Sequence, residues 1–171
     1  MTKTMAKRVD TKKLRNAIKA VLPEITKASQ MRKYGELAAG MIKLRTRLGS
    51  GVSYDGADKE KLKPLKPSTV DRRKRLKETG KLSGETSPRK SNLTETGQLL
   101  DSVQVTSAGI ATVSVGPRGG RDDGLTNQKV AERVTAGGRP FNSLSKIETK
   151  RLHDEVKRNL REAIKRVLTN K

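Results

Sequence analysis

From Thr11 to Leu48 the apolar residues Leu14, Ile18, Val21, Ile25, Ala28, Met31, Tyr34, Ala38, Met41 and Leu48 recur every three or four positions, with one vacancy at Arg45. That period places them on a single helical stripe. Pro23 falls inside the stripe and lacks the amide that a helix interior requires. The pattern therefore predicts a short helix ending at Leu22 and a longer one opening at Pro23, where proline suits the first turn. Gly35 and Gly40 each weaken the second helix by about 1 kcal/mol relative to alanine, and the missing Cβ lets another backbone approach closely.

The period then changes to two. Val103 and Val105, followed by Ala111, Val113 and Val115, alternate with polar residues. This predicts a hairpin of Ser102 to Thr106 and Ala111 to Val115 with one buried face, turning near Gly109. Gly116 to Gly124 holds four glycines and predicts a mobile tip. Thr126 can cap a short helix through Val134, ended by Gly137-Gly138. Ser145-Lys146-Ile147-Glu148 is a capping box, and Leu152, Val156, Leu160, Ala163, Ile164 and Val167 give the helix behind it an apolar face. Asp154 with Arg158, and Glu162 with Arg166, stand at i and i+4, worth a few tenths of a kcal/mol per pair.

Between the two patterned regions, residues 49–92 exceed the usual connection of roughly 4 to 6 residues and read as an arm. The arm opens with the turn Tyr54-Asp55-Gly56 and continues through the extended run Lys63-Pro64-Leu65-Lys66-Pro67. Ser68 can cap a helix over Thr69 to Thr79 that stops at Gly80. The Ser-, Gly- and Thr-rich stretch 81–92 is expected to be flexible. The expectation is one α+β domain over residues 1–171. Its N-terminal and C-terminal helices pack on one face of a small antiparallel sheet, and 49–92 is inserted as an extended basic arm.

Composition narrows the chemistry. The 171 residues carry a formal net charge of +21, with 32% hydrophobic and 2% aromatic residues. Such a core is aliphatic and thin, and such a surface seeks anions. Apart from the short turn 49–56, which holds only Asp55, the one acidic-leaning segment is 92–125, which is also the strand region. With no cysteine there is no disulfide, thiolate nucleophile or Cys-ligated zinc. The single histidine, His153, has no orienting partner on its helix and reads as solvated. The Asp122-Asp123 pair reads as a glycine-flanked surface turn. Gly116-Pro117-Arg118-Gly119-Gly120 lacks the spacing of a phosphate-cradling loop. No catalytic residue, metal ligand or cofactor is therefore expected, and the chain is not expected to be an enzyme. The stretch Leu99 to Val115 is too short and too polar for a membrane span. Met1 to Arg8 lacks the apolar run of a secretory signal, so the expected place of action is inside the producing cell or in a particle assembled there.

The basic arm is the strongest chemical signal. Lys63, Lys66, Arg72, Arg73, Lys74, Arg75 and Lys77 are candidate contacts for DNA phosphates or for acidic surfaces of neighbouring proteins. No aromatic residue lies between Tyr54 and Phe141, so the arm offers no base-stacking platform, and any nucleic-acid contact would be independent of sequence.

Several segments together resemble the tail-completion, or virion-morphogenesis, proteins found in the neck of tailed bacteriophages. The resemblance runs from about Leu37 onward. It is carried by Tyr54-Asp55-Gly56, by Pro64-Leu65-Lys66-Pro67-Ser68-Thr69-Val70-Asp71-Arg72-Arg73, and by Leu93-Thr94-Glu95-Thr96-Gly97-Gln98-Leu99-Leu100-Asp101-Ser102-Val103. A valine-rich strand ending at Val115-Gly116, then Gly138-Arg139-Pro140-Phe141, and a final helix complete it. The resemblance implies a structural virion protein, assembled in the host cytoplasm. It would form a homo-oligomeric ring, six being the expected number, between the head portal or adaptor and the tail, around the DNA path. It further implies that Arg139, Pro140 and Phe141 form the joint between the sheet and the last helix, and that Thr94 to Gly97 form the turn into the sheet. The alternative reading is a basic protein that binds nucleic acid without sequence specificity.

Overall fold

The computed structural model describes residues 10–53, 58–84, 86–121 and 123–169. They form an α+β fold with six helices and two antiparallel two-stranded sheets. Helices α1 (Thr11–Thr26) and α2 (Ala28–Arg47) are followed by β1 (Ser50–Val52), β2 (Lys59–Lys61) and α3 (Pro67–Glu78). Then come α4 (Gln98–Asp101), the hairpin β3 (Val103–Gly109) and β4 (Thr112–Pro117), α5 (Asn127–Ala136) and α6 (Lys146–Thr169).

The N-terminal stripe breaks later than expected. α1 runs through Pro23 to Thr26, and the interruption falls at Lys27, which is extended at φ −62° and ψ 150°. Proline removes only its own amide bond near the end of the helix, and the Thr26 hydroxyl donates to the Leu22 carbonyl at 2.8 Å in the last turn. Asp10 caps the start of α1, accepting from the Lys12 and Lys13 amides.

α2 covers the β3–β4 hairpin, and Gly35 is the reason it can lie so close. A Cβ on Gly35 would stand 2.5 Å from Val113 Cγ2 and 2.7 Å from Val105 Cγ2. Gly40 faces open space instead, so only the first of the two glycines has a close approach within the chain, and what approaches it is valine side chains rather than backbone. The hairpin is longer than the alternation predicts. A bulge between Val105 and Ser107 shifts the register, pairing then continues to Gly109 opposite Thr112, and the turn falls at Ile110-Ala111. Ala111 adopts φ 57° and belongs to that turn rather than to the buried face. Its amide donates to the Thr26 carbonyl at 2.8 Å, so the hairpin tip holds the end of α1.

The last helix does not lie on the sheet, as the sequence pattern suggested. α6 packs along α1 and reaches α2, because α2 already occupies the hairpin face. Ala17 and Val21 of α1 and Ala163 of α6 are buried, and Asn159 donates to the Tyr34 hydroxyl at 3.2 Å. The main core joins Ala39 and Ile42 of α2 to Leu99, Leu100, Val103, Ala131 and Phe141. The capping box forms as read: the Ser145 amide donates to Glu148 Oε2 at 2.8 Å, and the Glu148 amide donates to Ser145 Oγ at 3.4 Å. Arg158 pairs with Glu155 at 2.5 Å rather than with Asp154. The glycine-rich stretch after β4 is pinned rather than loose: buried Asn127 donates from its side chain to the Arg118 carbonyl at 3.1 Å, and Gly120 bridges to Thr126.

Candidate assembly and phosphate-contact surfaces

The segment read as an arm divides in two. Its first part folds back onto the body as the β1–β2 hairpin, a second sheet that the sequence pattern did not signal. The Val52 amide donates to the Pro140 carbonyl at 3.0 Å, and the Leu62 amide donates to the Gly49 carbonyl at 3.0 Å. Gly51 makes this possible, since a Cβ there would fall on the Pro140 oxygen. The turn Tyr54-Asp55-Gly56 lies outside the described residues.

The second part carries α3. Pro67 occupies the first turn, Lys66 rather than Ser68 is the N-cap residue, and Gly80 at φ 69° follows the C-terminal end. The helix is polar almost all round, so apolar burial cannot fix it. Its buried anchor is an arginine instead. Arg73 is 3% exposed. Its guanidinium donates to the Lys90 carbonyl at 2.8 Å, to the Asn92 carbonyl at 3.0 Å and to Glu95 Oε2 at 3.2 Å. Asn92 is itself buried and accepts from the Thr86 hydroxyl at 2.6 Å. The stretch expected to be flexible is thus the socket for an arginine.

This corrects one candidate and redistributes the others. Arg73 faces inward and has no surface to offer a phosphate. Lys66, Arg72, Lys74, Arg75 and Lys77 are exposed on or beside α3. Arg72 pairs with Glu95 at 2.9 Å, and Lys74 pairs with Asp71 at 3.0 Å. Exposed pairs of this kind contribute little and leave both charges accessible. Lys63 stands apart from α3, with its ammonium against the backbone of Gly138, which is at φ 81°.

The three joint residues act together. Arg139 reaches across to the arm and donates to the Pro64 carbonyl at 2.8 Å and to the Lys63 carbonyl at 3.4 Å. Partial burial lowers the pKa of its guanidinium from the ordinary value, and the nearby charge of Arg73 lowers it further. Pro140 supplies the carbonyl that anchors β1. Phe141 is fully buried in the core.

Arg45, the vacancy in the apolar stripe, belongs to the same joint. It is 4% exposed and forms a buried ion pair with Glu148. It also donates to the Phe141 carbonyl at 2.5 Å and the Ser143 carbonyl at 2.9 Å. Burial lowers its pKa from the ordinary value, while the Glu148 carboxylate opposes that shift. A basic residue at a core-facing helical position is the signal that could have found it.

His153 and Asp154 are exposed on α6. Asp123 accepts from the Leu125 amide at 3.1 Å and lies 3.4 Å from Arg121, which closes a surface turn; its neighbour Asp122 lies outside the described residues. Among the described residues no group of three His, Cys, Asp or Glu side chains could hold a metal ion. No helix among them is long and apolar enough to cross a membrane.

No family model, no curated protein and no solved structure matches this chain.

Proposed function

We propose that this chain is a structural, non-enzymatic virion protein that assembles into a ring at the head-to-tail junction of a tailed phage, with α3 presented to a neighbouring ring or to the DNA path. The observation that carries this reading is how the buried polar groups are used. Arg45, Glu148, Arg73 and Asn92 direct their hydrogen bonds at one another, at Glu95 and Thr86, and at backbone groups. They fix segments in place, and the depression of about 200 Å3 that Arg45 and Glu148 border is shared with the aliphatic side chains of Met41, Leu44, Leu48 and Ile147. The segments so fixed are those that carry the resemblance: Pro64 and Arg73 of the arm, Glu95 before the sheet, and Arg139 to Phe141 before the last helix. A thin core favours a chain that gains stability by burying apolar surface against copies of itself, and a net charge of +21 favours acidic neighbours that offset the repulsion between those copies. Electron microscopy of the purified protein tests this, with rings around a central opening as the expected result. A compact monomer absent from particles would overturn it.

The exposed cations of α3 favour a second reading, a protein that coats nucleic acid through its phosphates. Tight binding to free duplex without rings, falling steeply with salt, would select that reading.

A further inference from the structure

The side of α2 turned away from the β3–β4 hairpin carries a second apolar stripe. Leu37, Met41, Leu44 and Leu48 stand at i, i+4, i+7 and i+11 and so share one face. Leu44 is 62% exposed and Leu48 64%, and Ile147 at the start of α6 adds a third bare aliphatic side chain at 60%. With Met41 these residues border a surface depression of about 200 Å3 that reaches the Arg45–Glu148 pair and Ser145 and is edged by Lys59 and Arg151. Large aliphatic residues grouped this way mark a contact surface rather than ordinary scattered exposure. Gly40 is exposed on the same helix, and a Cβ there would meet nothing within 4 Å.

A complementary surface lies on the other side of the core. Ala39 and Ile42, on the inward side of α2, pack in one cluster with Ala131 of α5 and Val115 of β4. Beyond them β4 and α5 leave a groove of about 610 Å3, lined by Val115, Pro117, Ala131 and Ala136 together with polar side chains such as Gln128 and Asn142, and rimmed by Glu132. The Glu132 carboxylate accepts from the Gln128 amide at 3.3 Å and remains exposed.

We propose that the Leu44–Leu48–Ile147 ridge of one copy seats in the β4–α5 groove of the next, with Lys59 and Arg151 meeting Glu132. Charge selects this occupant. Two ridges placed face to face would oppose Lys59 and Arg151 to their own equivalents, whereas ridge in groove sets them against a carboxylate. Because ridge and groove are different surfaces on opposite sides of the core, the contact is head-to-tail, and it closes a ring when the rotation per copy divides a full turn, an open filament being the outcome otherwise. This rests on the ring reading above and names the surface that would build it.

Two exposed-site variants test it: a ridge variant, Leu44→Glu with Leu48→Glu, and a groove variant, Glu132→Arg with Ala136→Trp. Sedimentation and native mass spectrometry are expected to find the unaltered protein as rings and each variant alone as a monomer of unchanged helical content. Mixing the two variants should give a 1:1 dimer and nothing larger, since one intact ridge meets one intact groove. Rings that persist in the ridge variant would overturn this contact and leave the ring reading standing. An unaltered protein that stays monomeric at all concentrations would overturn both. As a check within one chain, Glu132→Arg alone should weaken assembly about tenfold or more, and adding Lys59→Glu with Arg151→Glu should restore it. Failure to restore would overturn the pairing.

Discussion

Arg45 of α2 and Glu148 of α6 lie 103 residues apart in sequence and form a buried ion pair beneath the Phe141 carbonyl. Glu148 also completes the capping box, so one carboxylate both starts the last helix and neutralises the arginine in the core. Removing one partner leaves a buried charge uncompensated. Glu148→Gln, which keeps a capping side chain, and Arg45→Met are each expected to cost about 3 kcal/mol or more. The double variant should cost clearly less than the sum of the two. Urea unfolding of all four proteins in a double-mutant cycle measures the coupling.

The two glycines of α2 should respond in opposite directions. Gly35→Ala forces its methyl group against Val105 and Val113 and is expected to destabilise by about 1 to 3 kcal/mol. Gly40→Ala meets open space and should stabilise by up to about 1 kcal/mol through helix propensity. Thermal unfolding of both variants at one protein concentration checks the signs.

Arg73 and its neighbours on α3 should separate fold from contact. Arg73→Met is expected to release α3, read as faster amide exchange in 67–78 and in the 86–95 socket. Arg75→Gln and Lys77→Gln should leave the melting temperature unchanged. If the outward face meets DNA phosphates, each should flatten the plot of log affinity against log salt by about one unit.

At the surface turn, the Leu125 amide and then Arg121 hold the Asp123 carboxyl below its ordinary value of 3.8. A carboxylate depressed in the folded state contributes its stabilisation above the unfolded value, and loses it as pH falls through the folded one. The turn should therefore hold at neutral pH and open only in acid below 3.8. Following the Leu125 amide resonance during an acid titration tests this, and Asp123→Asn should abolish the transition.

The elements written by local rules were legible in advance. The Ser145–Glu148 capping box, the Thr126 cap and the stop at Gly80 depend on residues a few positions apart. What stayed hidden depends on distant partners. Arg45 looked like a gap because its carboxylate arrives from the far end of the chain. Residues 50–52 and 59–61 are too short to show alternation, and they become a sheet because Gly51 admits the Pro140 carbonyl. Arg73 counted as one cation among several, since nothing in the run Arg72-Arg73-Lys74-Arg75 marks which side chain turns inward toward Asn92. The hairpin runs past the residues its alternation marks because the bulge after Val105 interrupts the period of two.

A helix whose buried anchor is a guanidinium rather than an apolar face has an unusual liberty. Apart from Arg72, which shares Glu95 with Arg73, the outward basic residues Lys74, Arg75 and Lys77 make no bond to the body, so they can change in number, sign or size without disturbing the fold behind them. Such a handle can be re-tailored to a different neighbour while the scaffold is kept, and the Arg73 socket is the part that variation must leave alone.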